Sequence, residues 1–102
     1  MNSKRLILVL TVNNHPGVMS HITGLFSRRA FNLEGILCAP IDDGSKSRMY
    51  LLINEDDRLS QIVSQLSKLY DVLSVKICRE CDRSVFDRLH EIVGWKEPPL
   101  GS

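Results

Sequence analysis

The apolar run from Leu6 to Val12 stops at Asn13-Asn14-His15-Pro16-Gly17, and apolar residues then recur at Val18, Ile22, Leu25 and Phe26. A strand, a tight turn and a helix in that order are what the change of spacing predicts. Pro16 has no backbone N–H and Gly17 no side chain, so the chain bends sharply and leaves the first amides of the helix open. Amides at that end of a helix attract a carboxylate. Asn14 adds a side-chain amide at the lip, and Asn32 adds another at the next helix-to-strand turn. The expected cargo is a small molecule carrying both charges, such as a free amino acid.

Arg5 to Val12 has two apolar sets, Leu6, Leu8, Leu10 and Val12 against Ile7, Val9 and Thr11, the pattern of a strand covered on both faces. The first helix is expected from Gly17 to Arg29, with strands at Leu33–Ile41 and Ser47–Asn54. Between those strands Asp42-Asp43-Gly44-Ser45-Lys46 is hairpin chemistry, so the pair is antiparallel. Glu55-Asp56-Asp57 offers capping carboxylates to a second helix carrying Leu59, Ile62, Val63, Leu66 and Leu69 at helical spacing. Asp71 to Ile77 alternates as a fourth strand with Leu73, Val75 and Ile77 inward. The order βαββαβ predicts an α+β, ferredoxin-like sandwich: a four-stranded antiparallel sheet with both helices on one face. Two helices cover one face only, so the second is expected to meet another copy or another protein. After Cys81, Asp82-Arg83-Ser84 starts a short amphipathic helix bearing Val85, Leu89 and Ile92 or Val93, which Gly94 stops. That helix either folds back on the sheet or reaches a partner. Trp95 to Ser102 is expected to fray. The division is therefore a domain over 1–80 and a tail over 81–102.

A chain of 102 residues closes one small core. Its 13 basic and 12 acidic residues give no field to hold nucleic acid or an anionic membrane. The βαββαβ order is shared with RNA-recognition folds, but Tyr50 is the only aromatic on the inner strands where those folds stack bases. The start, MNSKRLILVLTVNN, has the basic-then-apolar look of a signal peptide, yet lacks a small-residue cleavage site and serves better as a strand. A cytoplasmic protein with reduced thiols is the expectation. No catalytic residues are expected: His15, His21 and His90 fall in a turn, on a helix and in the tail, with no Ser or Cys at a pairing distance in sequence. The carboxylates of Asp42-Asp43 and Glu55-Asp56-Asp57 are explained by turn and cap. Cys78-Arg79-Glu80-Cys81 is a C-x-x-C without the second ligand pair that zinc requires, and it trails the last strand; it reads as two reduced thiols, with no metal site.

HPGVMSHITGLFSRRAFNLEGIL, with LEGILCAP, the DDGSKSR turn and QLSKLYDVLSVK, resembles the ACT domain of the short-form regulatory subunit of acetohydroxyacid (acetolactate) synthase over Arg5 to Cys78. The resemblance implies a homodimer formed through the sheet. It also implies a branched-chain amino acid, valine foremost and isoleucine or leucine otherwise, held between the first turn of one protomer and the start of the second strand of the other. Residue by residue this points to Asn14, Gly17, Val18 and Met19 on one side and Asn32 and Leu33 on the other, with Ala39 a further candidate. His15-Pro16 departs from members that carry Glu-Ser there. The implied role is non-catalytic: activation and feedback inhibition of a catalytic large subunit, which would hold thiamine diphosphate, magnesium and flavin, with no cofactor in this chain. An ACT-type sensor for a different metabolic enzyme, or a dimerisation module without ligand, are the alternatives.

Overall fold

The computed structural model describes residues 4–100; the first three residues of the domain and the last two of the expected frayed end lie outside the described residues. The elements are β1 (Arg5–Asn13), α1 (Val18–Arg28), β2 (Leu33–Ile41), β3 (Lys46–Asn54), α2 (Leu59–Ser67), β4 (Val72–Cys78), α3 (Ser84–Asp87) and α4 (Leu89–Val93). The sheet is antiparallel in the order β2-β3-β1-β4. The expected ferredoxin-like sandwich is therefore the fold.

Register divides the side chains cleanly. Leu6, Leu8, Leu10 and Val12 lie opposite Ile53, Leu51, Met49 and Ser47, and the first three pairs join the buried cluster under the helices. Val18, Ile22, Leu25 and Phe26 of α1, with Leu59, Ile62 and Leu66 of α2, close it. The other set, Ile7, Val9 and Thr11, pairs with Leu52, Tyr50 and Arg48 on the outer face. After α1, Ala30 takes a left-handed φ of 51°, and the Phe31 amide donates to the Phe26 carbonyl at 3.0 Å. That wrap satisfies a terminal carbonyl of the helix and sets Phe31 edge-on to Phe26, ring centroids 5.8 Å apart.

Several expectations change in detail. The register slips between Thr11 and Val12, and Val72 takes the inward place at the start of β4, so that Leu73 turns out to 49% exposure. Ile77, also expected inward, is 41% exposed at the far end of this edge strand. Asp56 does not cap α2 directly. Its carboxylate accepts from the Arg58 amide at 2.7 Å and from the Arg58 guanidinium, forming a turn ahead of the helix. The single tail helix is two, because Arg88, at φ −110° and ψ 19°, leaves the helical region between them.

The largest departures concern the tail. Cys78 and Cys81 form a disulfide rather than two free thiols. The chain reverses at the end of β4 within this short stretch, bringing the two Cα atoms to 5.6 Å, inside bridging range. The outer face, expected to await a partner, is covered in part by this chain's own α3. The Phe86 ring lies so close over Gly35 of β2 that a Cβ built on Gly35 would sit 2.6 Å from Cδ1. Ile7 and Leu52 on that face are 3% and 2% exposed. Of the two fates left open for the tail, folding back is the one adopted by α3, whereas Ile92, Val93 and Trp95 beyond it stand exposed.

Candidate functional site

Residues Asn13 to Val18 form the turn at one end of the sheet, and although Asn14 to Gly17 are exposed, hydrogen bonds tie Asn13 and Asn14 to neighbouring segments. The Asn13 amide donates to the Asp71 carbonyl at 2.8 Å and the Asn14 amide to the Ser45 carbonyl at 2.9 Å. The Asn14 side chain donates through Nδ2 to the Gly44 carbonyl at 2.7 Å, which ties the turn to the β2–β3 hairpin. Its amide nitrogen is thus occupied, and its Oδ1 is the group left to face a ligand. Gly17 sits at φ +91° directly before α1, and a Cβ built there would meet nothing within 4 Å. No side chain caps α1 and no acidic residue lies in its first turn. The helix therefore presents its positive end to open space.

Val18 contributes only backbone to that space, since its side chain is buried in the core and its amide makes a long 3.4 Å bond to the His15 carbonyl. Met19 is exposed beside it. At the other end of the sheet, Asn32 is exposed and its side-chain amide donates to Glu34. Leu33 is half-buried against the edge of the core. Leu33 aligns with Ile53 and hence with Leu6, whereas Asn13 aligns with Lys46 at the opposite limit of the same strands. Seven steps of strand separate the two groups, roughly 24 Å. Within one chain the structure brings Asn14, Gly17, Val18 and Met19 together, and Asn32 with Leu33, but does not join the sets. Ala39 is exposed on the outer face of β2, opposite Arg48.

Four residues that sequence reading passed over shape these regions. His15 places Nε2 2.6 Å from the carboxylate of Asp71 and Nδ1 2.5 Å from the Pro16 carbonyl. Both ring nitrogens face acceptors, so the imidazolium is the form that satisfies both. The Pro16 carbonyl is the main cause that raises its pKa above the ordinary value; desolvation opposes it, and the Asp71 charge and hydrogen bond add lesser rises. Asp71 is buried and also accepts from the Asn13 side chain. Arg48 donates to Thr11 Oγ1 at 3.3 Å, while its buried Nε has no protein partner. Gly35, the fourth, is where Phe86 closes on the sheet; an isolated glycine inside the strand LEGILCAP was the available signal. The pairing of His15 with Asp71, 56 positions apart, left no such mark.

Among the described residues no cluster of three or more His, Cys, Asp or Glu is placed to hold a metal ion. None of their helices is long and apolar enough to cross a membrane.

Residues 8–74 match the family model of the AHAS small subunit-like ACT domain. Over 84 residues the chain is 55% identical to the acetolactate synthase isozyme 1 small subunit of Escherichia coli K12, covering 82% of this chain and 86% of that one. It is 44% identical over 72 residues to the acetolactate synthase small subunit of Haemophilus influenzae, covering 70% of this chain and 44% of that longer protein. Among solved structures, the acetolactate synthase small subunit from Thermotoga maritima aligns with a TM-score of 0.65 and 32% identity, over 72% of this chain and 46% of that chain. The ACT domain of GTP pyrophosphokinase from Chlorobium tepidum aligns with a TM-score of 0.66 at 21% identity, over 81% and 94%, a likeness of fold alone. By sequence and by fold, the chain belongs to the family of acetolactate synthase small subunits built on an ACT domain.

Proposed function

We propose that this chain is a non-catalytic regulatory subunit that binds a branched-chain amino acid, valine foremost, at a seam between two copies, and passes its occupancy to a catalytic acetolactate synthase subunit. The observation that carries this reading is the uncapped start of α1 behind Gly17: an open, positive, backbone-lined lip with no side chain of its own to fill it. A carboxylate fits there, and the Met19 side chain beside it supplies apolar surface. Asn32 and Leu33 lie too far away to complete the site within one protomer, so a second copy would have to supply them. In that arrangement Asn14 Oδ1 faces the ammonium and Leu33 the aliphatic side chain. Thiamine diphosphate, magnesium and flavin belong, on this reading, to the catalytic subunit in the cytoplasm.

Regulation requires that the effector bind one arrangement of the complex more tightly than another, typically by about 1 to 3 kcal/mol. The first test is thermal unfolding with and without valine. A ligand at about 100 times its Kd adds roughly 2.7 kcal/mol. We expect valine to raise the midpoint and Gly17→Asp, which places a carboxylate at the lip, to abolish the rise while the fold and the dimer survive. An unchanged valine response in Gly17→Asp would put the pocket elsewhere. No response to any branched-chain amino acid would leave a dimerisation module. Co-purification with a thiamine-dependent large subunit tests the partner.

A further inference from the structure

The Cys78–Cys81 bridge contributes little to holding the sheet together. It closes a loop of sequence separation 3 at the very end of β4, whereas the buried cluster between sheet and helices is complete without it. A bridge over so short a loop restrains only the chain next to it. What lies next to it is the departure of the tail. Cys78 is opposite Ile7 on the outer face. Cys81 borders the apolar crevice that Ile7, Leu37 and Tyr50 form with Val85 and Phe86. Helix α3, at four residues, is too short to persist alone, so its seat depends on how the chain leaves β4. The remaining ties are the Phe86 contact with Gly35, a 3.5 Å ion pair between Arg5 and Asp87 and a bond from Arg83 to the Arg79 carbonyl.

The charges around the bridge are mixed: Arg79 and Glu80 lie between the two cysteines in sequence and Asp82 and Arg83 just beyond them, and Arg79 is paired to Glu55 at 2.6 Å. In a reducing compartment a protein disulfide is ordinarily transient and redox-sensing rather than structural.

We propose that Cys78–Cys81 is a thiol–disulfide exchange site whose reaction with a cellular thiol releases α3 from the outer face. A reductant thiolate attacks one sulfur, the Cys78–Cys81 bond breaks and a mixed disulfide forms, while the other sulfur takes a proton. A second reductant thiol then displaces the second chain sulfur, which is protonated, and the reductant leaves as its own disulfide. The chain gains two electrons and two protons. Release uncovers Ile7, Leu52 and Gly35. This inference stands on the tail's own contacts and does not require that the chain bind an amino acid.

The test uses the full chain purified without reductant. Alkylation under denaturing conditions should add one group, on Cys38, before dithiothreitol and three after it. Hydrogen exchange at the amides of Phe86 and Arg88 should quicken by about tenfold on reduction, with β1 and β3 unchanged. The double variant Cys78→Ser, Cys81→Ser should match the reduced form and ignore dithiothreitol. Phe86→Ala should free α3 in both redox states. Three free thiols before reductant, equal exchange in the two states, or no effect of Phe86→Ala would each overturn the proposal.

Discussion

The two ends of this sheet are closed by different chemistry. At the turn end, Asn13, Asn14, His15 and Asp71 tie β1, the β2–β3 hairpin and the start of β4 through hydrogen bonds and one ion pair. At the tail end, an aromatic ring on a glycine and a sulfur bridge do the work. The polar end keeps its backbone amides accessible because its side chains bond to neighbouring strands and not to the helix. The apolar end, by contrast, covers its strands with its own chain. The open end is where the proposed effector would bind, and the closed end is where the proposed thiol exchange would act.

Between them runs the core both ends share, and a cut there should not discriminate. Leu51 is fully buried, and Leu51→Ala removes its packing from both ends at once. We expect a loss of about 2 to 5 kcal/mol in denaturant unfolding, with turn and tail amides losing protection together. If only one end loosened, the two would not rest on a common core.

Gly35→Val sharpens the difference. Its side chain would meet Phe86 at contact distances no packed structure sustains, so strain should reach about 1 to 3 kcal/mol, limited by how readily the tail leaves. We expect increased protease sensitivity near residues 84–93 with the turn end unaffected. If valine binds as proposed, loss of its effect in this variant would show that the ends communicate.

Much of this was legible because burial imposes period. β1 and β3 read from their alternation, and α1 from Val18, Ile22, Leu25 and Phe26, since each sits against the same core. Gly17 was legible for a related reason: a proline-glycine pair between a strand and a helix permits few backbone paths. Leu73 was misread because the slip opposite Thr11 and Val12 has no period to give it away. The disulfide was misread because spacing in sequence does not say whether two thiols face each other, and the tail's seat because it rests on a long-range fit between Phe86 and Gly35. Of the candidate residues, Asn14, Gly17, Val18 and Met19 come together because they are neighbours in one turn and helix start. How that group meets Asn32 and Leu33 is a matter of assembly, which period and turn propensity do not encode.

A smaller effect belongs to the turn end alone. At Gly17 there is room for a side chain but φ is +91°, so Gly17→Ala isolates backbone strain from crowding. We expect about 1 kcal/mol of destabilisation, a fall in melting temperature of roughly 4 to 8 °C for a domain of this size. The tail amides should exchange as before. If alanine cost nothing, the left-handed bend would not be required for the lip, and glycine there would serve ligand access only.

The smallest expected effect is titration of the same end. His15 has its pKa raised in the folded chain, first by the Pro16 carbonyl and then by Asp71, so the folded state holds the proton more tightly than the unfolded one. Stability from this contact is therefore complete below the unfolded value, about 6.5, and is lost as pH rises through the higher folded value. His15→Gln should melt below the native chain in mildly acidic buffer and converge with it as the medium becomes alkaline. Because the His15 side chain is 45% exposed, solvent screens the contact and the difference should be modest. At the tail end, exchange of the Phe86 amide relative to its intrinsic rate should show no step matching that of His15, since Phe86 packs on Gly35 at the far end of the sheet from His15 and Asp71. A step of equal size at both ends would mean that the His15 contact is felt across the whole sheet, and the contrast between a proton-sensitive end and a thiol-sensitive end would fail.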